Sequence, residues 1–462
     1  MKVYLDYAAT APVKKEVRDA MMPFLGENFG NPSSIHSWGQ VARGAVDEAR
    51  EKMAKFLNCR AEEIIFTSGG TEADNLAIRG IVFRLGLASR LQPPYPTYSA
   101  GSVLSRCQNL DKTNSASTGI ALEASPTAGN HSIPLPHIVT TQIEHHAVLR
   151  TCQYLEKNKL AEVTYLKPNR DGLISVEQVK KAIKKNTVLV SVMYVNNEIG
   201  TLEPIREIGK MIEQINQLRI KNSKLKNPKI HHSTIHNSAL DNSRIYFHTD
   251  AVQAAQYFPM DVDFLHVDLL TISGHKIGAP KGIGALYAKK NTPLEKILFG
   301  GEQEANRRAG TENVAGIVTL GQAAEVLRTE NLELRTEKTT NLRDYFVKKV
   351  LKEIPDVELN GSKEFRSPNN ANFYFKYIEG ESILLSLDLV GIAASSGSAC
   401  TSLSLSPSHV LMATYNNPER SHGSVRFTLG EETSKAEIDY TIKNLKIIIQ
   451  RLRNISPLTK ER

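Results

Sequence analysis

The apolar run TVLVSVMYV, residues 187–195, is the feature that most constrains the fold of this chain. A strand without polar alternation must be covered on both faces, as in a parallel sheet with helices on either side. The runs IIF and HIVTTQI repeat the pattern, because each precedes a stretch with helical spacing. Strands that alternate with helices predict an α/β fold built on a mainly parallel sheet. Ligands of such sheets bind at the carboxyl ends of the strands.

Size and composition suit a protein of two or more domains. The 462 residues are 41% hydrophobic and 23% charged, the balance of an ordinary globular protein. Much of the net charge of +8 lies in residues 219–244, which hold six Lys or Arg and one Asp. A basic tract can bind nucleic acid, but this one is rich in Ser and Asn and has no aromatic residue. We interpret it as a solvated surface insertion and expect no specific nucleic-acid partner.

A second tract, residues 86–136, is rich in Ser and Pro and has no sustained periodicity. It predicts another surface insertion. Around these insertions we expect a large domain at 15–330. Residues 1–14 and 331–462 are expected to form a smaller α+β domain that carries a mobile cysteine loop.

The four cysteines, Cys59, Cys107, Cys152 and Cys400, are widely spaced and form no CxxC pair. The pattern is neither a disulfide framework nor a thiolate zinc site, so we expect a reducing compartment and no stable metal site. No apolar run approaches the ~20 residues of a membrane span, and MKVYLDYAAT has no apolar signal core. We expect a cytoplasmic protein with no membrane contact. An unrecognised signal for a mitochondrion or a related organelle is the alternative.

Two polar residues follow predicted strands at the same edge of the sheet. Lys276 lies in TISGHKIGAP, and Asp250 lies in FHTDAVQ. The lysine is either a solvated surface charge or a Schiff-base lysine with a depressed pKa. The aspartate is either a helix N-cap or the carboxylate that faces the ring nitrogen of pyridoxal phosphate. Neither residue decides the matter alone.

The segment FTSGGTEADN places Gly69, Gly70 and Thr71 at a predicted helix start. Backbone N–H groups and the helix dipole make such a start an anion site. The three residues suit a phosphate group, although no GK[ST] sequence follows. A small-residue turn before a helix is common, so this segment is weak evidence by itself.

The segment TQIEHHAVL places His145 and His146 at another predicted helix start. One of them can stack on a flat ring and move protons; a pair of surface histidines is the plainer interpretation. Adjacent residues do not share a helix face, so joint metal binding is not expected. An aldehyde acceptor, a ring partner, a phosphate site and a stacking imidazole together are what pyridoxal phosphate requires.

The segment SSGSACTSLS surrounds Cys400 with small residues. A structural cysteine is usually packed among apolar neighbours, and this one has none nearby in sequence. Small residues pack weakly and flex easily. Taken alone, Cys400 is equally well explained as an incidental exposed thiol and as a reactive one.

Ten segments, in the same order, resemble those of pyridoxal-phosphate cysteine desulfurases of the type that serves iron–sulfur cluster assembly. They run from Tyr4 to Gly430 and are YLDYAATAPV, FGNPSSIHSWG, FTSGGTEADNLAI, TQIEHHAVL, VNNEIGT, HTDAVQ, SGHKIGAPKGIGALY, RRAGTENVAGI, SSGSACTS and VRFTLG. The resemblance implies a type I aminotransferase-like fold, with a seven-stranded sheet in the large domain. It also implies an obligate homodimer that binds pyridoxal 5'-phosphate.

The resemblance further implies a role for each matching residue. Lys276 holds the cofactor, His145 stacks on its ring, and Cys400 is the nucleophile. Asp250 and Gln253 contact the ring. The phosphate is held by Gly70, Thr71, Ser273 and His275, and by Thr311 from a partner subunit. Asn196 and Arg426 bind the substrate carboxylate, and Asn196 is also counted as a cofactor contact.

The implied reaction converts L-cysteine to L-alanine and leaves a persulfide on Cys400. The sulfur passes to an iron–sulfur scaffold protein or another acceptor. A further implied use of the sulfur is tRNA thiolation. Cys400 could also transiently ligate an iron–sulfur cluster. A selenocysteine lyase of the same fold and a non-catalytic sulfur-trafficking platform are the alternatives. The chain departs from the family pattern at His146, where lysine is often found, and after Cys400, where the sequence reads TSLSLSPSHVL.

Overall fold

The computed structural model describes residues 1–90, 134–226, 244–397 and 407–457. The strands within these ranges are β1 (Val3–Tyr4), β2 (Ile64–Thr67), β3 (His137–Thr141), β4 (Glu162–Leu166), β5 (Thr187–Ser191), β6 (Tyr246–Asp250), β7 (Leu269–Ser273), β8 (Gly284–Ala288), β9 (Val357–Leu359), β10 (Asn370–Phe375), β11 (Ile392–Ala393) and β12 (Ser424–Thr428).

The helices in the same ranges are α1 (Lys15–Met21), α2 (Ser37–Leu57), α3 (Gly70–Arg90), α4 (His146–Lys157), α5 (Val176–Ala182), α6 (Ile205–Lys226), α7 (Val262–Leu265), the single turn α8 (Gln303–Asn306), α9 (Val314–Thr329), α10 (Leu332–Glu353), α11 (Gly380–Asp388), α12 (His409–Tyr415), α13 (Pro418–His422) and α14 (Lys435–Ile455). Short 3₁₀ turns accompany them, and the turn Gly274–Lys276 directly follows β7.

A seven-stranded sheet lies at the centre of the large domain, in the order β2-β8-β7-β6-β5-β3-β4. β8 is antiparallel to both neighbours, and the other pairs are parallel. The predicted α/β class and mainly parallel sheet are therefore confirmed. Because the parallel strands share one direction, their carboxyl ends meet at one edge of the sheet.

Both faces of this sheet are covered, as the apolar run at 187–195 predicts. Successive strand residues alternate between two hydrophobic clusters. Leu189 packs with residues of α3 and α4 on one face. Val190 packs with residues of α2, α6 and α9 on the other. The two covering layers leave the strand ends as the open part of the sheet.

The smaller unit is built around the antiparallel sheet β12-β10-β9. Its core is a separate hydrophobic cluster that includes Val3 and Leu5 together with residues from Phe346 to Ile449. Phe346 packs edge-on against Phe373 and Phe427, with ring centroids 5.5 and 5.3 Å apart. This separate core supports the proposed division of the chain into two domains, which stays a prediction.

The structure corrects the predicted starts of both insertions. α3 continues to Arg90 and α6 to Lys226, so the first residues of the 86–136 and 219–244 tracts are helical. The guanidinium of Arg219 donates to the backbone oxygens of Thr187 (3.2 Å) and Lys184 (2.7 Å), which ties α6 to the start of β5. Most of the remainder of both tracts lies outside the described residues. In the described parts of the chain, every helix is too short or too polar to cross a lipid bilayer.

Candidate active site

A cavity of about 240 Å³ lies at the carboxyl ends of β6 and β7, and Arg426 of β12 also lines it. Its position is the one expected for the ligand of a parallel sheet. Predicted site residues that line it are Gly70, Thr71, His145, Asp250, Gln253, Ser273, His275, Lys276 and Arg426. The structure thus brings together residues that are up to 356 positions apart in the sequence.

Lys276 ends the 3₁₀ turn that follows β7, and its amine reaches into the cavity. Its Nζ donates to the backbone oxygen of Ala9 at 2.7 Å and to that of Ala8. Gln253 reaches the same place, because its side-chain amide donates to the Ala8 oxygen at 3.0 Å. The N-terminal segment therefore holds the lysine in position by its carbonyl groups.

Asp250 is the last residue of β6 and is buried, with 5% of its surface exposed. One carboxylate oxygen accepts the backbone N–H of Val252 at 2.9 Å. Burial raises the pKa of the Asp250 carboxyl, and the charge of Lys276 and the Val252 N–H oppose that rise. A buried carboxylate at the cavity wall is suited to a cationic partner.

The predicted phosphate site is formed by the start of α3 and the end of β7. Gly70 begins α3, which is long enough for its N-terminus to attract an anion. A Cβ at Gly70 would lie 3.0 Å from Val252 Cγ2, so the glycine keeps this wall of the cavity open. Ser273 ends β7, and His275 Nδ1 lies 3.4 Å from the Thr10 hydroxyl. These groups supply hydrogen-bond donors of the kind that hold a phosphate.

His145 caps the N-terminus of α4. Its Nδ1 accepts the backbone N–H of Ala147 at 3.2 Å, which leaves Nε2 for a ligand. Burial and the nearby Lys276 charge lower the pKa of His145 to about 4. The imidazole is therefore neutral at physiological pH, with its proton on Nε2 because Nδ1 is an acceptor.

Arg426 lies in β12 and is buried, with 2% exposed. Its guanidinium donates to the backbone oxygens of Asn197 (2.7 Å) and Gly397 (3.4 Å) and to Asp6 Oδ1 (3.0 Å). Its Nε has no hydrogen-bond partner among the described residues. A planar guanidinium with a donor to spare at a cavity wall is suited to a carboxylate.

Two predicted contacts do not line the cavity. The Asn196 amide is used inside the turn, where it donates to the Ile143 oxygen and accepts the N–H groups of Glu198 and Ile199. Its neighbour Asn197 lines the cavity, and direct contact of Asn196 with a ligand stays a prediction. Thr311 is exposed and lies outside the cavity lining.

Cys400, the predicted nucleophile, lies outside the described residues. The chain before it is described as far as Gly397. Ser395 pairs with Arg426 through the backbone in both directions. The chain that leads to Cys400 therefore starts beside a cavity-lining residue.

Sequence reasoning missed Asp74, a buried carboxyl in the same cavity. One side-chain oxygen of Asp74, one of Asp250 and a ring nitrogen of His145 lie within 4.8 Å of one another. The signal was present in the sequence, because Asp74 follows Gly70 by four residues and so shares its face of α3. Alone, however, it looks like any polar residue in the first turn of a helix.

His146, His409 and Glu198 also line the cavity and were not assigned. The rings of His146 and His409 lie 4.5 Å apart at an angle of 36°. Neither nitrogen of His146 has a hydrogen-bond partner among the described residues. Glu198 accepts the hydroxyl of Ser408. Only the fold brings these residues together, since His146 and His409 come from distant parts of the sequence.

Comparison with known proteins agrees with this geometry. Residues 3–87, 113–220 and 233–441 match the aminotransferase class-V family. A cysteine desulfurase IscS of Dictyoglomus turgidum is 45% identical over 460 residues, covering all of this chain and 98% of the relative. A cysteine desulfurase IscS of Methanosarcina thermophila is 43% identical over 457 residues, covering 99% of this chain and 94% of the relative.

Two solved structures are also similar to this chain along most of its length. A NifS-like protein matches with a TM-score of 0.74 and 28% identity, over 98% of this chain and all of that chain. The structure titled SspA in complex with cysteine matches with a TM-score of 0.66 and 31% identity, over 94% of this chain and all of that chain.

The chain belongs to the class-V aminotransferases, a family of pyridoxal-phosphate enzymes of fold type I. Within that family it is a cysteine desulfurase of the IscS type.

The cavity residues fit pyridoxal phosphate. The space kept open by Gly70 adjoins the start of α3, the buried Asp250 carboxyl faces the cavity, and Lys276 reaches it. Asp74 Oδ1 is buried and accepts no hydrogen bond from the described residues. Buried polar atoms of this kind are normally satisfied by a partner. A small polar ligand is therefore suited to this space, which is below the ~300–1,000 Å³ typical of drug-sized ligand sites.

Proposed function

We propose that this chain removes sulfur from L-cysteine in the cavity described above and passes it to Cys400 as a persulfide, with L-alanine as the second product. The observation that carries the proposal is the convergence of Lys276, Asp250, His145 and Arg426 on one cavity. If these residues were only a surface lysine, a helix-capping aspartate and a pair of surface histidines, we would not expect them to line the same cavity.

Lys276 would hold the cofactor through its amine, and Asp250 would face the ring nitrogen. Gly70, Thr71, Ser273 and His275 would hold the phosphate. When bound, pyridoxal phosphate supplies an electron sink that stabilises negative charge on the carbon atoms of the substrate. The protein's part is to bind, orient and exchange protons around that centre.

Arg426 would bind the substrate carboxylate, because its guanidinium lines the cavity and its Nε has no described partner. The existing contacts with Asp6, Asn197 and Gly397 hold the guanidinium plane in one orientation. Asn196 would act indirectly, since it holds the turn from which Asn197 contacts both the cavity and Arg426.

His145 would exchange protons with the substrate. A neutral imidazole can accept a proton from the substrate and, once protonated, return it to a carbon or sulfur atom. The Ala147 N–H fixes the tautomer, and the lowered pKa prevents a permanent charge beside Lys276. The ring is therefore ready for proton transfer at neutral pH.

Cys400 would accept the sulfur. Its thiolate forms a bond to the sulfur atom of the substrate as the carbon–sulfur bond breaks, and the three-carbon remainder gains a proton and leaves as alanine. The described cysteines are poor candidates for this role. Burial raises the pKa of Cys59 to about 12 and that of Cys152 even further, so neither forms a thiolate readily.

The assembly we propose is a homodimer in which Thr311 of one subunit helps to hold the phosphate in the other. The exposed position of Thr311, away from the cavity of its own subunit, supports this arrangement. We also propose a reducing compartment, the cytoplasm, because Cys400 must remain a free thiol. An iron–sulfur scaffold protein is the proposed sulfur acceptor.

The test is to incubate the purified protein with pyridoxal phosphate, L-cysteine and a reductant and to measure alanine and sulfide together. We expect one alanine for each sulfide released. L-selenocysteine is assayed in parallel. Turnover of selenocysteine alone would favour the lyase alternative, and absence of turnover with either substrate would favour a non-catalytic platform.

A further inference from the structure

Asp74 and Asp250 form a pair of buried carboxyl groups at the wall of the active-site cavity. Asp74 is 1% exposed and Asp250 is 5% exposed. An oxygen of each lies within 4.8 Å of the other. Two carboxylates this close in a buried site cannot both ionise readily, because like charges repel strongly where water is excluded. The pair therefore retains one proton.

The surroundings of the two groups decide which one keeps it. Asp250 accepts the Val252 N–H and lies near the charge of Lys276, and both favour its ionised form. Neither of these two effects favours the ionised form of Asp74. Its Oδ1 accepts no hydrogen bond from the described residues, and the Thr271 hydroxyl is the one group that lowers its pKa.

The other titratable groups around Asp74 do not change this conclusion. His248 Nε2 lies 3.6 Å away but is fully buried, and burial lowers the His248 pKa to about 3, so the ring is neutral. Glu144 is also buried, and burial raises its pKa to about 8, so it too holds its proton. His145 carries no charge at neutral pH. No arginine or lysine of the described residues forms an ion pair with Asp74.

We propose that Asp74 is a positioning residue for the cofactor: it is the neutral member of the carboxyl pair and leaves Asp250 as the single buried anion that meets the ring nitrogen. A neutral carboxyl beside Asp250 provides a polar wall without a second negative charge. A second anion would compete for the ring nitrogen, and an apolar wall would make Asp250 costlier to ionise. This inference rests on the function proposed above.

The first experiment compares the cofactor affinity of three variants, measured by fluorescence titration of cofactor-free protein with pyridoxal phosphate. Asp74→Asn keeps a neutral polar group of the same shape, and we expect its Kd to stay within about threefold of the parent. Asp74→Leu removes the polarity, and Asp250→Asn removes the anion. We expect each to weaken binding by roughly tenfold or more, the size of one lost interaction with a charged group.

The outcomes separate the alternatives. If Asp74→Asn weakens binding as much as Asp250→Asn, then Asp74 acts as an anion and the proposal is wrong. If Asp74→Leu binds like the parent, then Asp74 has no role toward the cofactor and the proposal is again wrong. A second readout is the pH at which the visible absorption of bound cofactor changes. It should be unchanged in Asp74→Asn and shifted in Asp250→Asn.

A second experiment needs no cofactor, so its failure is distinguishable from failure of the proposed function. A carboxyl whose pKa is raised on folding stabilises the protein at low pH and loses that contribution as the pH rises. The cofactor-free Asp74→Asn variant should therefore gain stability relative to the parent as the pH rises above about 4, the ordinary pKa of an unfolded aspartate. The control Asp439→Asn loses an ion pair with Lys435 that lowers the pKa of the Asp439 carboxyl, so it should show no such gain. A constant difference between Asp74→Asn and the parent would overturn the assignment of the proton.

Discussion

Ser395 and Arg426 exchange backbone hydrogen bonds in both directions. The Ser395 N–H donates to the Arg426 oxygen at 3.1 Å, and the Arg426 N–H donates to the Ser395 oxygen at 2.7 Å. The residue that we propose to bind the substrate carboxylate is thus paired with the chain that leads to the proposed nucleophile. The anchor is five residues from Cys400, a length of at most ~18 Å when extended. The chain length from this anchor is therefore compatible with the proposed transfer of sulfur to Cys400.

Replacement of Cys400 by Ser should abolish persulfide formation, because a hydroxyl does not accept sulfur. Cofactor uptake should be unchanged, since Cys400 has no proposed contact with the cofactor. The measurements are the visible absorption of the protein and persulfide labelling after addition of L-cysteine. Cys59→Ser and Cys152→Ser are the matched controls and should keep persulfide formation. Sulfide release at the parent rate by Cys400→Ser would identify another nucleophile.

Replacement of Lys276 by Ala should remove the covalent attachment of the cofactor. The purified parent should be yellow, and borohydride should fix the cofactor to the chain. We expect the variant to release its cofactor on denaturation even after borohydride treatment, as measured by mass spectrometry of the intact protein. Lys281→Ala, a surface change in the same loop, is the control. A fixed cofactor in Lys276→Ala would mean that a different amine holds it.

Replacement of Arg426 by Lys should raise the KM for L-cysteine by roughly 10- to 100-fold, because lysine cannot bind a carboxylate through two parallel hydrogen bonds. Cofactor affinity should change much less. The control is Arg420→Lys, which alters an ion pair with Glu358 on the same domain but away from the cavity. An unchanged KM in Arg426→Lys, with kcat lowered instead, would assign the residue a role other than substrate binding.

The fold could be predicted from the sequence because the buried strands are apolar on both faces. The run at 187–195 places Leu189 and Val190 in cores on opposite sides of the sheet, and strand-end residues such as Asp250 and Lys276 follow directly from that topology. His409 could not be assigned, because its proximity to the other site residues depends on packing between distant segments. Adjacent side chains in a turn point in different directions, so Asn197 lines the cavity while Asn196 bonds within the turn.

The insertion starts were misplaced for a different physical reason. The last turns of α6 are rich in lysine, so no hydrophobic periodicity marks them as helical. Their residues are still good helix formers. The sequence pattern therefore ended before the helix did.

Deletion of residues 227–243, with a short Gly-Ser linker in their place, should leave cysteine turnover within about twofold of the parent, because loop length has a small effect on stability. The deletion must begin after Lys226, since Arg219 within α6 contacts the start of β5. A deletion of 219–244 is the comparison and should lower the melting temperature. Lost turnover in the shorter deletion, with an unchanged melting temperature, would show that the tract contributes to function.

Replacement of Glu144 by Gln should make the cofactor-free protein more tolerant of alkaline pH. Glu144 is fully buried, and its Oε1 accepts the Thr141 hydroxyl at 2.8 Å and the Met193 N–H at 3.1 Å. Burial raises its pKa to about 8, whereas an unfolded glutamate has a pKa of about 4.3. The folded protein thus keeps a proton that the unfolded chain loses.

The sign of the effect follows from this difference in proton binding. The contribution of Glu144 to stability is full below about pH 4 and falls by up to ~1.4 kcal/mol for each pH unit until about pH 8. Glutamine retains the acceptor oxygen and does not titrate, so the variant should gain on the parent over that interval in urea unfolding. Glu62→Gln, at an exposed site beside Lys290, should show no such gain. A Glu144→Gln difference that does not vary with pH would mean that Glu144 is already ionised in the folded protein, and its place beside the Asp74 and Asp250 pair would then need a compensating cation.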